Sequence, residues 1–110
     1  MSDAADLPIG RAFDCRFGAF VPRLEFLSAS ELQLDVPGAG GSTRQVVNTE
    51  VTRIAAGTYM LSWIEADGTT VVHVQDFNNG VVLSHARLPD GTLLRVRGTI
   101  EWLADAAKPV

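Results

Sequence analysis

The sequence predicts an all-β protein, an eight-stranded antiparallel up-and-down barrel. Three short segments with one pattern carry this prediction: Ala66-Asp67-Gly68, Asn78-Asn79-Gly80 and Pro89-Asp90-Gly91. Each joins two runs rich in Val, Leu, Ile and Thr, residue types that favour strands. A glycine in third place supplies the positive φ that closes a three-residue hairpin through a type I turn and a bulge. Four consecutive antiparallel strands are therefore expected between residues 57 and 103.

The N-terminal half is predicted to add four more strands. Residues 1–9 are small, acidic and proline-containing, and we expect a flexible arm there. Phe13, Cys15 and Phe17 fall on one face of the first strand. The second and third strands form a hairpin, and the third alternates apolar and polar residues with the period of a half-buried strand. A glycine-rich loop at 37–42 leads to a long fourth strand rich in β-branched residues. The predicted strands cover residues 11–18, 23–28, 31–36 and 43–55.

The C-terminal half is predicted to form the four-stranded meander, at residues 58–65, 69–77, 81–88 and 92–103. Short connections between all eight strands favour closure into a barrel, because closure removes exposed edges. A two-sheet sandwich is the competing architecture. Residues 10–104 then form one barrel domain, and residues 105–110 form a C-terminal tail. A barrel of this size is filled by side chains or holds one small ligand.

Bulk composition limits the choice of partners and compartment. The chain has 110 residues, a net charge of -4 and one cysteine. The negative charge argues against nucleic acid, because phosphate binding requires a basic surface. A single cysteine excludes an internal disulfide and favours a reducing compartment. No apolar run reaches the roughly 18 residues needed to cross a bilayer. We therefore expect a cytoplasmic protein with no nucleic-acid or membrane partner.

The loop lengths determine which side chains of the meander share a face. With three-residue loops, Phe77 pairs with Val81 at the middle turn. His73 consequently lies opposite His85, and His85 lies opposite Arg95. One face, here called the mixed face, carries Tyr59, Leu61, Trp63, Glu65, Val71, His73, Gln75, Phe77, Val81, Leu83, His85, Arg87, Leu93, Arg95, Arg97 and Thr99. The other, the apolar face, carries Met60, Ser62, Ile64, Val72, Val74, Asp76, Val82, Ser84, Ala86, Leu88, Leu94, Val96, Gly98, Ile100 and Trp102.

Two assignments of these faces remain open. In one, the apolar face fills the barrel and the mixed face meets water, as hydrophobicity alone favours. In the other, the mixed face lines a cavity, and the apolar face packs against a second subunit because so much apolar surface would not stay exposed. The protein would then be a homodimer. Aromatic and polar groups would converge on a small organic ligand; they are Tyr59, Trp63, His73, His85 and Arg95.

The polar residues permit acid–base chemistry but match no catalytic or metal motif. The glycine-rich loop lacks the lysine and the helix of a phosphate loop, and no nucleophile elbow or zinc-ligand spacing occurs. His73 or Glu65 could shuttle a proton. Arg95 or Arg97 could hold a carboxylate or enolate oxygen. Asp76 is expected to accept backbone N–H groups in an Asx turn. No metal or cofactor is predicted.

Three stretches of the C-terminal half carry a family resemblance. They are Tyr59-Met60-Leu61-Ser62-Trp63-Ile64-Glu65-Ala66-Asp67-Gly68, Val72-His73-Val74-Gln75-Asp76-Phe77-Asn78-Asn79-Gly80, and Leu88-Pro89-Asp90-Gly91-Thr92 followed by Arg97-Gly98-Thr99. Their Ser-Trp-x-Glu, His-Val-x-Asp-Phe and closing Gly-Thr resemble the MoaF-like proteins, a branch of the calycin (lipocalin-like) barrels. The resemblance implies an eight-stranded barrel with an internal site and no particular activity.

Together these observations predict a binding protein for a small, mostly apolar organic molecule, with the five converging residues named above around it. The alternative is a cofactor-free lyase, isomerase or cyclase in which His73 or Glu65 moves a proton inside the barrel. A third class is an interaction protein whose apolar face serves self-association.

Overall fold

Nine antiparallel strands form one nearly closed barrel in the computed structural model, which describes residues 7–103. The strands are β1 (Ala12–Arg16), β2 (Arg23–Phe26), β3 (Glu31–Val36), β4 (Thr43–Asn48), β5 (Glu50–Ala55), β6 (Thr58–Ile64), β7 (Thr70–Asp76), β8 (Val81–Arg87) and β9 (Leu93–Trp102). The described range contains no helix, and so none that could cross a membrane. The predicted all-β, up-and-down barrel is confirmed, with nine strands in place of eight.

A bend at Thr49 accounts for the additional strand. The segment predicted as one strand at 43–55 pairs with β3 before the bend and with β6 after it. At the bend, the Thr49 backbone N–H donates to Ser30 O at 2.9 Å, and the Thr49 hydroxyl donates to Ser62 O at 3.0 Å. One continuous segment therefore changes its partner and draws the two edges of the sheet together. The order around the barrel is β4-β3-β2-β1-β9-β8-β7-β6-β5.

The first and third predicted hairpin loops have the expected length. The Glu65 N–H donates to Thr69 O, and the Leu88 N–H donates to Thr92 O, each at 2.8 Å. The last residue of each loop is a glycine with a φ of 94° or 91°. This left-handed conformation closes a three-residue loop and is open to glycine without steric strain.

The middle turn is one residue longer than predicted. Asp76, and not Phe77, pairs with Val81. The Asp76 carboxylate accepts the backbone N–H groups of Asn78 and Asn79 at 3.0 and 3.1 Å, which confirms the predicted Asx turn. Because the turn begins at Asp76, the connection contains four residues, a length that is built around a type I turn. The predicted pairing of Phe77 with Val81 is wrong for this reason.

The longer turn exchanges the inward and outward faces of β8 and β9 relative to the prediction. A shift of one residue along a strand moves every side chain to the other face of the sheet. Ser84, and not His85, lies opposite His73. The predicted pairing of His73 with His85 is therefore wrong, whereas that of His85 with Arg95 is confirmed. The barrel interior combines the mixed face of β6 and β7 with the apolar face of β8 and β9. Neither predicted assignment holds for the whole meander.

Aromatic rings close one end of the barrel. The Phe77 ring lies 5.3 Å from Phe13 and 5.4 Å from Trp102, between ring centroids, and 6.2 Å from Tyr59. The Arg11 guanidinium covers this end, 4.1 Å from the centre of the Trp102 ring, in cation–π geometry. We call the set Phe13, Phe26, Tyr59, Phe77 and Trp102 the aromatic plug. Inside the barrel, the opposite half is left open to a ligand.

The predicted arm at 1–9 and tail at 105–110 lie mostly outside the described residues. Leu7, which belongs to the predicted arm, is buried with the core. On the outside of the barrel, Met60, Val72 and Leu83 are 44%, 36% and 42% exposed. The homodimer expected from an apolar outer face remains a prediction.

Candidate functional site

The half of the barrel opposite the aromatic plug holds a cavity of about 450 Å³. This volume lies within the range of small-molecule sites, roughly 300–1,000 Å³. Most of the wall is apolar, with Leu24, Leu34, Val71, Ala86, Leu94 and Val96 among its members. The polar side chains of the wall are Glu65, Asp67, Thr69, His73 and Ser84. The cavity therefore combines a largely apolar body with a few polar groups.

Cross-strand pairing arranges the interior of β6 to β9 in layers. The layer farthest from the aromatic plug consists of Trp63, Val71, Ala86 and Leu94. The next consists of Leu61, His73, Ser84 and Val96. The third consists of Tyr59, which belongs to the aromatic plug, and of Gln75, Val82 and Gly98. Ser84 and Ala86 on β8 are smaller than His73 and Trp63 in the same layers, which leaves room for the cavity.

Trp63 is the largest side chain of the cavity wall and is held from two sides. Its indole Nε1–H donates to Glu65 Oε2 at 3.1 Å. Its ring meets the His73 ring edge to face, with centroids 4.7 Å apart and planes at 72°. Such contacts restrict the rotamer of an aromatic ring and fix the shape of the wall.

His73 lies between the cavity and the core and is 3% exposed. Burial lowers its pKa from 6.5 to about 3, because the charged imidazolium would lose its hydration. The Gln75 side-chain amide donates to His73 Nδ1 at 3.0 Å. In this arrangement the neutral imidazole accepts at Nδ1 and carries its proton on Nε2. Gln75 Oε1 is buried and has no hydrogen-bond partner among the described residues. His73 is therefore a neutral, buried polar group on the cavity wall.

Glu65 is half-buried at the end of β6 and lines the cavity. Burial raises the pKa of its carboxyl, the Trp63 hydrogen bond opposes this rise, and the nearby Asp67 carboxylate adds to it. The net result is a carboxyl group that is easier to protonate than one in water. An acidic group beside an aromatic ring in an apolar wall can bind a hydrogen-bond donor or exchange a proton with a bound molecule.

The structure separates the residues predicted to surround a ligand. Trp63 and His73 line the cavity together with Glu65, the proton-transfer candidate. Tyr59 points inward but lies in the aromatic plug. His85 and Arg95 are exposed on the outer face, opposite each other. The four-residue turn exchanges the inward and outward faces of β8 and β9, so these two residues do not reach the cavity.

Sequence reasoning missed the role of Phe17 and Gly98. The Phe17 ring lines the cavity and lies 6.0 Å from the His73 ring, between centroids. Gly98 is buried, and a Cβ atom there would come within 2.2 Å of Arg16 O and 2.7 Å of Phe17 Cδ1. The absence of a side chain at Gly98 therefore lets Arg16 O and the Phe17 ring lie directly against β9. A glycine inside a strand is itself a sign of such close approach.

Neither a metal centre nor a thiol nucleophile emerges from the described residues. No group of three or more His, Cys, Asp or Glu side chains that could hold a metal ion occurs within residues 7–103. Cys15 is buried, and desolvation together with the charge of Asp14 raises its thiol pKa to about 12. Such a thiol remains protonated at neutral pH and is a poor nucleophile.

Comparison with known proteins identifies the family and the fold. The family model for MoaF-like proteins matches residues 9–101. No curated protein matches the sequence. A crystal structure of a protein from Burkholderia vietnamiensis, provisionally described as a beta-lactamase, is similar with a TM-score of 0.79 and 23% identity. The match covers 86% of this chain and 94% of that one. At this identity, the similarity shows a shared fold, and no activity of that protein is inferred for this chain.

Proposed function

This chain belongs to the MoaF-like family, and we propose that it binds a small, mostly apolar organic molecule inside its barrel. The observation that carries the proposal is the cavity of about 450 Å³ with Trp63, Glu65 and His73 on its wall. An apolar body and a few convergent polar groups are typical of small-molecule sites. The apolar wall would desolvate the ligand, and the polar groups would orient it.

The distribution of side-chain size supports this proposal. Ser84 pairs with His73, and Ala86 shares a layer with Trp63; larger residues at these two positions of β8 would fill the space. An apolar void lowers the stability of a folded domain, because its lining atoms lose packing contacts. A ligand that binds only the folded state would recover this stability.

A fluorescence titration with N-phenyl-1-naphthylamine, a neutral probe that brightens in apolar sites, tests the proposal. We expect saturable binding of one probe per chain. Trp63→Ala should weaken the affinity at least about tenfold, because the variant loses a large part of the wall. His85→Ala is the matched control, since His85 is exposed on the outer face. Lack of saturable binding, or equal affinity in both variants, contradicts the proposal.

The carboxyl of Glu65 favours a second candidate, a cofactor-free lyase, isomerase or cyclase. Glu65 has a raised pKa and shares the cavity wall with the neutral imidazole of His73. A carboxyl group with a raised pKa in an apolar wall can exchange a proton with a bound molecule. Native mass spectrometry of the purified protein would identify retained molecules, which are then incubated with the protein in D₂O. An enzyme would incorporate deuterium or form an isomer, and Glu65→Gln would abolish this. A binding protein would return the molecule unchanged.

A further inference from the structure

The cavity wall has an unbalanced charge. Glu65 and Asp67 both contribute to it, and no arginine or lysine lines the cavity among the described residues. Arg95 and Arg97, which the sequence offered as partners for a carboxylate or enolate oxygen, are exposed on the outer face of β9. His73 cannot replace them, because it is neutral. An anionic ligand would therefore lose its hydration in the cavity without gaining a cationic partner.

Glu65 has one oxygen available to a ligand. Oε2 accepts the Trp63 indole N–H at 3.1 Å, and the side chain makes no other hydrogen bond within the described residues. The bond to Trp63 orients the carboxylate, and Oε1 makes no hydrogen bond within the described residues, on a side chain that lines the cavity. Phe17 and Phe20 also line this part of the barrel and present aromatic surface. Aromatic faces attract organic cations in addition to shielding apolar groups.

We propose that the ligand of this cavity is an amphipathic amine whose ammonium group binds the Glu65 carboxylate while its apolar body lies against Trp63 and the aliphatic wall. This inference rests on the proposed function and specifies its ligand class. A charge-assisted hydrogen bond is stronger than a neutral one, and the low polarity of the wall strengthens it further. An alcohol would gain only the neutral bond, and a carboxylate would be repelled.

Displacement of N-phenyl-1-naphthylamine by three molecules with the same apolar body tests the inference. These are 1-octylamine, 1-octanol and octanoate at pH 7.5 and low ionic strength. We expect octylamine to displace the probe roughly tenfold more effectively than octanol, the ratio between a charge-assisted and a neutral hydrogen bond. Octanoate should be the weakest. In Glu65→Gln the advantage of the amine over the alcohol should vanish, while the affinity for octanol stays within about threefold.

Two control variants separate direct contact from general electrostatics. Glu31→Gln removes an equal charge from an exposed position of β3 that lies outside the cavity wall. Asp67→Asn removes the second acid of the wall, and the asparagine oxygen can still accept the Thr69 N–H that Asp67 accepts at 2.8 Å. Both variants should keep at least half of the preference for the amine, whereas Glu65→Gln should lose it.

The outcomes distinguish the ligand class from the binding function itself. If the probe binds but octylamine is no better than octanol or octanoate, the amine is wrong and the binding function stands. If Glu65→Gln retains the full preference for octylamine, Glu65 is not its partner, and the inference is again overturned. If the probe does not bind the wild-type protein at all, the proposed binding function fails.

Discussion

The rings of Trp63 and His73 meet edge to face inside the barrel, with their centroids 4.7 Å apart. This contact joins the cavity wall to the buried polar pair of His73 and Gln75, whose side chains are 3.0 Å apart. The imidazole is therefore a structural part of the wall as well as a polar group near the ligand. Its burial has a measurable effect on the folding equilibrium.

His73 should make the protein less stable as the pH falls below 7. Burial lowers the pKa of His73 from 6.5 in the unfolded chain to about 3 in the folded one. Between these values the unfolded chain binds a proton that the folded chain does not, so the free energy of unfolding falls as the pH falls. The loss from His73 between pH 7 and pH 5 is about 2 kcal/mol.

Urea denaturation of the wild type and of His73→Gln at both pH values measures this contribution. The glutamine can still accept a hydrogen bond from Gln75 but does not titrate. The variant should lose about 2 kcal/mol less than the wild type over this range. All other ionisable groups are common to both proteins. Equal pH dependence of the two would show that His73 is not buried as a neutral group.

Gly98→Ala should destabilise the barrel, because the new methyl group would meet the backbone oxygen of Arg16 at 2.2 Å. The backbone of β1 cannot move away as a flexible side chain could, and overpacking of this kind costs about 1–3 kcal/mol. Gly40→Ala is the matched control, since Gly40 has no atom within 4 Å of an added Cβ and no positive φ. Thermal unfolding monitored by circular dichroism compares the two. A Gly98→Ala variant as stable as Gly40→Ala would contradict the close approach of β1 and β9.

Trp63→Phe should raise the pKa of Glu65. The indole N–H stabilises the charged carboxylate, and phenylalanine removes that donor while keeping an aromatic wall. NMR titration of the Glu65 side-chain carboxyl carbon reports the pKa directly. Trp102→Phe, which alters the aromatic plug at the other end, should leave the pKa of Glu65 unchanged. An unchanged value in Trp63→Phe would mean that the Trp63–Glu65 hydrogen bond does not form in solution.

If the predicted homodimer forms through the outer face of β6 to β8, Leu83→Arg should convert it to a monomer. Leu83 is 42% exposed in the middle of that face, and a buried unpaired arginine would oppose association. Val46→Arg is the control, since Val46 is 53% exposed on β4 at another part of the barrel. Analytical ultracentrifugation gives the mass of each variant. A dimer that survives Leu83→Arg would exclude this face as the interface.

The sequence predicted the architecture because strands and short turns leave strong local signals. Two hairpin loops were predicted correctly from a glycine in third place. The middle turn was not, although its Asx turn at Asp76 was foreseen, because an Asx turn is compatible with more than one loop length. The additional residue in the middle turn determines whether Ser84 or His85 faces the cavity. Local strand and turn propensities do not specify this loop length.

The bend at Thr49 was missed for a different reason. The segment around it is rich in β-branched residues throughout, so nothing in its pattern marks an interruption. Thr49 donates its hydrogen bonds to Ser30, directly before β3, and to Ser62 in β6, so both bonds exist only once the barrel closes. The sequence also did not reveal that Tyr59 lies in the aromatic plug while Trp63 lines the cavity. The plug is formed by residues that are far apart in the chain, from Phe13 to Trp102.

One pair of neighbouring substitutions tests most directly whether the interior cavity is the binding site. Ser84 points into the cavity and His85 points to solvent, so Ser84→Leu fills the proposed site and His85→Leu adds similar bulk outside it. The measurement is the affinity of each variant for N-phenyl-1-naphthylamine, with cooperative unfolding as evidence that both are folded. We expect Ser84→Leu to lose at least about tenfold in affinity and His85→Leu to match the wild type. The reverse order of effects, or no effect of Ser84→Leu, would contradict both the register of β8 and the binding site built on it.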